Sequence, residues 1–224
     1  MSAWSQQHVC LVLAGLSGAE GFPGTVPCAL TPAAKWRLGK NGGYTALQVP
    51  EVRAGQAGPE DDPPRAGKHP LRAVLALLTM ADGRCAAVTM TPGRVVCRVR
   101  FPTVPLTYFR GTLLDGYMAE SAFVVTDAVA CRGRRVLGEA HPRRMELARE
   151  LVEAAAAAPT QARPGDPLPL RLLLPTTRTL DECVAFGEGT HLLVPADRRC
   201  CPGRTQHDTF LYTFADLVEM LPGA

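Results

Sequence analysis

The chain has 224 residues, 46% of them hydrophobic and 20% charged, a balance that excludes disorder along the whole length. A formal net charge of +3 excludes a protein that coats nucleic acid over its entire surface and leaves room for a local basic face. Only three of the 24 cationic residues are lysines, Lys35, Lys40 and Lys68, so chemistry that needs a lysine has three candidates.

From the N-terminus, Val9–Leu16 is as apolar as a short leader core, but no Lys or Arg precedes it, so it predicts a first buried strand and an unsecreted chain. No run approaches the ~18 apolar residues of a membrane helix, which predicts no membrane partner. Gly and Pro recur so often that short strands joined by turns are the expected element throughout. The segment 54–70 (AGQAGPEDDPPRAGKHP) lacks apolar periodicity and predicts a flexible loop interrupting a single domain over residues 1–224. Next, Val74–Leu78, Cys85–Val88 and Val95–Val99, separated by turns at Asp82-Gly83 and Pro92-Gly93, predict a three-stranded antiparallel meander.

Gly111–Met118 and Ala122–Val129, parted by Ala119-Glu120-Ser121, read as two further strands of that sheet, with Asp115-Gly116 closing the first run either as a site or as a strand-end turn. Arg132-Gly133-Arg134 makes the next turn. The spacing of Met145, Ala148, Leu151, Val152 and Ala155 predicts a helix over 142–158, with Pro142 in its first turn and Arg143, Arg144 and Arg149 on a solvated face. Pro159–Pro169 is a connector and Leu170–Leu174 a strand. Thr179-x-x-Glu182 has the form of a capping box opening a short helix. Strands at His191–Val194 and Thr209–Thr213 precede a last amphipathic helix, Ala215–Leu221.

The eight cysteines form no Cys-x-x-Cys pair with a matching partner or His spacing, so no metal site is expected. Several lie inside apolar runs, where a buried thiol acts as a small hydrophobe. That points to a reducing, intracellular compartment.

Four groups of residues carry a family resemblance. Lys40-Asn41-Gly42-Gly43-Tyr44-Thr45 keeps the lysine and final glycine of a Lys-x-Asp-Gly-x-Arg motif, without its Asp and Arg; a rival match, Met80-Ala81-Asp82-Gly83, keeps Asp-Gly and loses the lysine. Leu114-Asp115-Gly116-Tyr117 stands against Leu-Asp-Gly-Glu, with an aromatic ring in place of the carboxylate. Glu188-Gly189 heads the strand His191–Val194. Pro202-Gly203-Arg204 precedes Phe210–Phe214, where a Lys-x-Lys strand would lie without its lysines. In this order the segments resemble mRNA-capping guanylyltransferases and the wider covalent nucleotidyltransferase superfamily that includes polynucleotide ligases. The resemblance spans about Ala33 to Leu221.

The resemblance implies an α+β fold, two antiparallel sheets with flanking helices around a cleft, and no OB-fold domain. It makes Lys40 the candidate nucleophile and places Gly43, Asp115, Gly116, Tyr117, Glu188 and Gly189 at a nucleotide. Mg2+ enters only if the chain is active. Because charged groups that act together are missing, the expected function is a nucleotidyltransferase-like module without covalent catalysis, binding a nucleotide such as GTP, an RNA cap or a protein. The alternatives are an active RNA guanylyltransferase using Lys40, a ligand-free scaffold whose cleft is closed by side chains such as Tyr117, and an unrelated β-rich domain. The arginine bias fits a GC-rich genome, and a reduced capping fold fits a large DNA virus, so the expected location is the cytoplasm or nucleus of an infected cell.

Overall fold

The computed structural model describes residues 6–29, 44–49, 71–80, 82–119, 122–159, 169–179, 182, 189–195 and 205–213. Among them the chain is α+β, with two mostly antiparallel sheets and two helices. The expected loop at 54–70 and the expected helix Ala215–Leu221 lie outside the described residues.

The first apolar run is a helix, α1 (Gln6–Ser17), and not the expected strand. Val9, Leu13 and Ser17, four residues apart, are its buried positions, so period 3.6 prevails where a run this apolar gives no clear alternation. Gly18 ends the helix with φ +76°, its N–H bonding the Ala14 carbonyl at 2.7 Å.

The larger sheet has seven strands, built from β3 (Leu71–Thr79), β4 (Cys85–Met90), β5 (Val96–Val99), β6 (Arg110–Ala119), β7 (Ala122–Cys131), β8 (Arg134–Arg135) and β9 (Arg171–Leu173). Their order is β5-β4-β3-β6-β7-β8, with β9 running parallel beside β7. The expected meander is therefore present as β3-β4-β5, and β6 and β7 extend the same sheet as expected, with β6 pairing with β3. Arg132 and Gly133, with φ 52° and 82°, make the tight turn into β8. Asp115-Gly116 is not a strand end, because β6 continues to Ala119. β7 carries extra residues opposite both Leu113/Leu114 and Asp115/Gly116, two bulges that re-aim its polar side chains.

The smaller sheet orders β1 (Val26–Ala29), β12 (Thr205–Thr213), β11 (Thr190–Pro195), β2 (Tyr44–Val49) and β10 (Thr177–Arg178). Its pairs are antiparallel except β1 with β12. Beyond β10, Thr179 and Glu182 exchange the two bonds of the expected capping box, at 2.7 and 3.2 Å.

The larger sheet is covered on both faces. On one, α2 (His141–Ala157) packs Ala148, Leu151 and Ala155 against Leu75, Leu114, Phe123 and Val125. Leu151 is wholly buried and contributes roughly 2 kcal/mol by area. On the other face, Val9 and Leu13 of α1 meet Val74, Val88, Met90 and Val129. Farther along, Tyr117 packs with Leu47, Val49, Leu192 and Val194 of the smaller sheet. The two sheets thus meet around Tyr117, and this contact places the site.

Candidate functional site

Asp115 lies mid-strand on β6 and is completely buried between the sheets. Its carboxylate forms an ion pair with Arg72 of β3 and accepts the Thr25 N–H at 2.7 Å. Arg72 faces Tyr117 across the β3–β6 ladder, and its guanidinium lies 4.7 Å from the centre of that ring. A charge in an otherwise apolar strand must be paired to be buried, and here the pairing links three chain segments.

Burial holds the Asp115 carboxyl above the usual carboxylate range, against the pull of the Arg72 charge and the Thr25 N–H. Burial opposes the Arg72 charge as well, but Asp115 and Tyr117 outweigh it and keep the guanidinium protonated. The Tyr117 hydroxyl is pushed up by burial, and its oxygen makes no well-formed hydrogen bond.

A second pair stands behind the first. Asp127, opposite Asp115 on β7, is gripped by Arg144 of α2 through two parallel bonds, Nε to Oδ1 at 2.6 Å and Nη2 to Oδ2 at 2.8 Å. Arg144 has no exposed surface, which corrects the expected solvated arginine face. The bulge at Thr126 turns Asp127 to this position, while the Thr126 carbonyl meets a His141 ring nitrogen at 2.9 Å. Arg143 and Arg149 are exposed, as expected.

The space between these groups is small. Thr25, Arg72, Asp115, Thr126, Asp127, Leu192, Val194 and Thr209 enclose a cavity of about 10 Å3. A small-molecule site needs roughly 300 Å3 or more. At this point between the sheets the space is too small for such a ligand.

Of the residues singled out from sequence, Asp115, Gly116 and Tyr117 come together in this layer. Gly116 has a structural reason to be glycine, since a Cβ there would lie 2.1 Å from the Val124 carbonyl oxygen. Gly189 heads β11 with φ +94°, beside His191 and Gln48, and is not part of the cavity wall. Lys40, Gly43 and Glu188 lie outside the described residues. The residues that sequence reasoning passed over are Arg72, Thr25, Asp127 and Arg144. Arg72 and Asp127 carried a signal: Arg72 is a single charge heading a run of buried apolar residues, and Asp127 a single charge inside one.

The layer does not fit the divalent metal that an active nucleotidyltransferase needs. Both carboxylates are neutralised by guanidiniums, and no cluster of three or more His, Cys, Asp or Glu side chains occurs among the described residues. Roomier concavities lie on the surface. One of about 570 Å3 runs between α1 and Arg94, and another of about 440 Å3 lies over Ala87, Arg98 and Phe101. No helix among the described residues is long and apolar enough to cross a membrane. Set against known proteins, the chain matches no family model and no curated protein.

Proposed function

We propose that the chain is a nucleotidyltransferase-like fold serving as a non-catalytic structural and protein-binding module, with the layer between its sheets filled by its own side chains. The observation that carries this reading is the Arg72–Asp115–Tyr117 cluster. It occupies the meeting plane of the two sheets and leaves about 10 Å3, far below the volume of a nucleoside triphosphate. The side chain at the position of the missing motif carboxylate is Tyr117, buried among four aliphatic residues of the opposite sheet. An aromatic ring held there takes up the room that a nucleotide would need.

Support for a protein partner comes from α1. Its sequence, QQHVCLVLAGLS, has no Asp, Glu, Lys or Arg, and Leu11 is 66% exposed beside the larger surface groove. An uncharged helix with an exposed leucine suits a protein surface better than a phosphate.

The test is to incubate the full chain with GTP or ATP and a divalent metal, measure intact mass, and record melting with GTP and a cap analogue. The expected result is unchanged mass and unchanged melting temperature. An adduct absent from Lys40→Ala would replace this reading with an active guanylyltransferase. A melting shift without an adduct would replace it with nucleotide or cap binding.

A further inference from the structure

The polar groups around the cavity leave hydrogen-bonding capacity unused. Asp115 Oδ1 and Arg72 Nε and Nη1 are buried, and none has a hydrogen-bond partner within the protein. A buried polar atom without a partner is destabilising, the more so when charged, so an arrangement with several of them is incomplete as it stands. The atoms belong to residues that share one enclosed space, the cavity walled by Arg72, Asp115, Thr25, Thr126, Leu192 and Val194.

Size and charge decide what fits. A volume of about 10 Å3 is near the minimum that holds one water molecule, and no organic ligand is that small. The four ionised groups of the layer are two carboxylates, Asp115 and Asp127, and two guanidiniums, Arg72 and Arg144, each paired with its opposite. The layer is neutral, so an added ion of either sign would be buried without compensation, which is costly. A neutral molecule that both donates and accepts suits a spare carboxylate oxygen beside spare guanidinium N–H groups.

We propose that the space between the sheets is a binding site for a single structural water, which donates to Asp115 Oδ1 and accepts from Arg72. Thr25, Thr126, Asp127 and Thr209 are the other polar residues of its wall, and Leu192 and Val194 close it from the opposite sheet. The water makes the ion pair a closed network and fixes the spacing of the sheets at that point. The inference rests on the closed layer and not on the identity of any protein partner.

The test has a crystal arm and a solution arm. A crystal structure at high resolution is expected to show one density peak within about 3.2 Å of both Asp115 Oδ1 and Arg72. In solution, oxygen-17 relaxation dispersion is expected to lose one long-lived water in Val194→Ile, whose extra methyl group enters the cavity, and to lose none in Val194→Ala. Circular dichroism establishes that each variant is folded. An empty cavity in the density overturns the proposal, as does an equal count of long-lived waters in the native chain and folded Val194→Ile. A peak with the anomalous signal of chloride, or with the short distances of a metal ion, overturns it too. Nucleotide binding in the melting assay would overturn the function reading instead, so the two failures are distinguishable.

Discussion

Removing the Asp115 carboxylate should unfold much of what the layer holds. In Asp115→Ala, the Arg72 guanidinium, whose side chain is only 10% exposed, loses its ion-pair partner and stays buried as an uncompensated charge. Breaking a buried pair from one side costs about 3–5 kcal/mol. The Thr25 N–H also loses its acceptor, which adds about 1–3 kcal/mol. The expected loss is about 4–8 kcal/mol, comparable to the whole stability of an ordinary domain. Urea unfolding followed by far-ultraviolet circular dichroism reads it, with Asp115→Asn as a milder variant that keeps an acceptor for Thr25. The double variant Arg72→Leu/Asp115→Leu removes both charges and should recover at least half of the loss, because nothing charged is left buried. A cost below about 1 kcal/mol for Asp115→Ala, the value of an exposed pair, would refute the argument. So would a double variant as unstable as the sum of its parts.

Two further outcomes follow from the geometry. Gly116→Ala would place a Cβ 2.1 Å from the Val124 carbonyl oxygen and against the Phe123 ring, so β6 and β7 must separate; thermal unfolding should show a loss of about 3 kcal/mol or more, and a variant within about 0.5 kcal/mol of native would contradict the packing. His191 is 1% exposed, stacked on Tyr212, and neither ring nitrogen has a hydrogen-bond partner; burial first, then the Arg178 charge, holds its pKa below the ordinary histidine value. Because the unfolded chain then binds the proton more tightly, His191 leaves stability intact above about pH 6.5 and withdraws it as pH falls below that. Urea midpoints from pH 8 to pH 5 should decline less in His191→Phe than in the native chain, and identical declines would remove His191 as the cause.

How much of this was legible beforehand depended on whether the deciding interaction was local. The β3-β4-β5 meander followed from Asp82-Gly83 and Pro92-Gly93, since short turns that end on a residue at positive φ, Gly83 and Arg94, specify their own hairpins. The capping box at Thr179 and Glu182 is likewise complete within four residues. The run Val9–Leu16 is apolar at nearly every position and fits a strand or a helix, and only its packing on Val74 and Val88 decides. Arg144 sits among exposed arginines in sequence and yet is buried, because its partner Asp127 lies on another element and is turned toward it by a bulge. The site was half legible for the same reason. Motif order singles out Asp115 and Tyr117, whereas Arg72 becomes meaningful only when β3 and β6 are aligned in register.

The parallel pairing of β1 with β12 has a consequence for the order in which the chain acquires its structure. Val26 meets Thr205 and Cys28 meets Phe210, so the smaller sheet joins segments near opposite ends of the sequence. The larger sheet pairs mostly between neighbours, β3 with β4 and β6 with β7, and can form from a partial chain. During synthesis the β3–β7 surface bearing Arg72, Asp115 and Tyr117 emerges before β11 and β12 exist to cover it. Contacts of such long sequence separation form late, since their loop-closure entropy is met only at the end. A ribosome that stalls before Thr190 would therefore release a half-sandwich with a solvated ion pair on its open side, a species for a chaperone to hold until the C-terminal strands arrive.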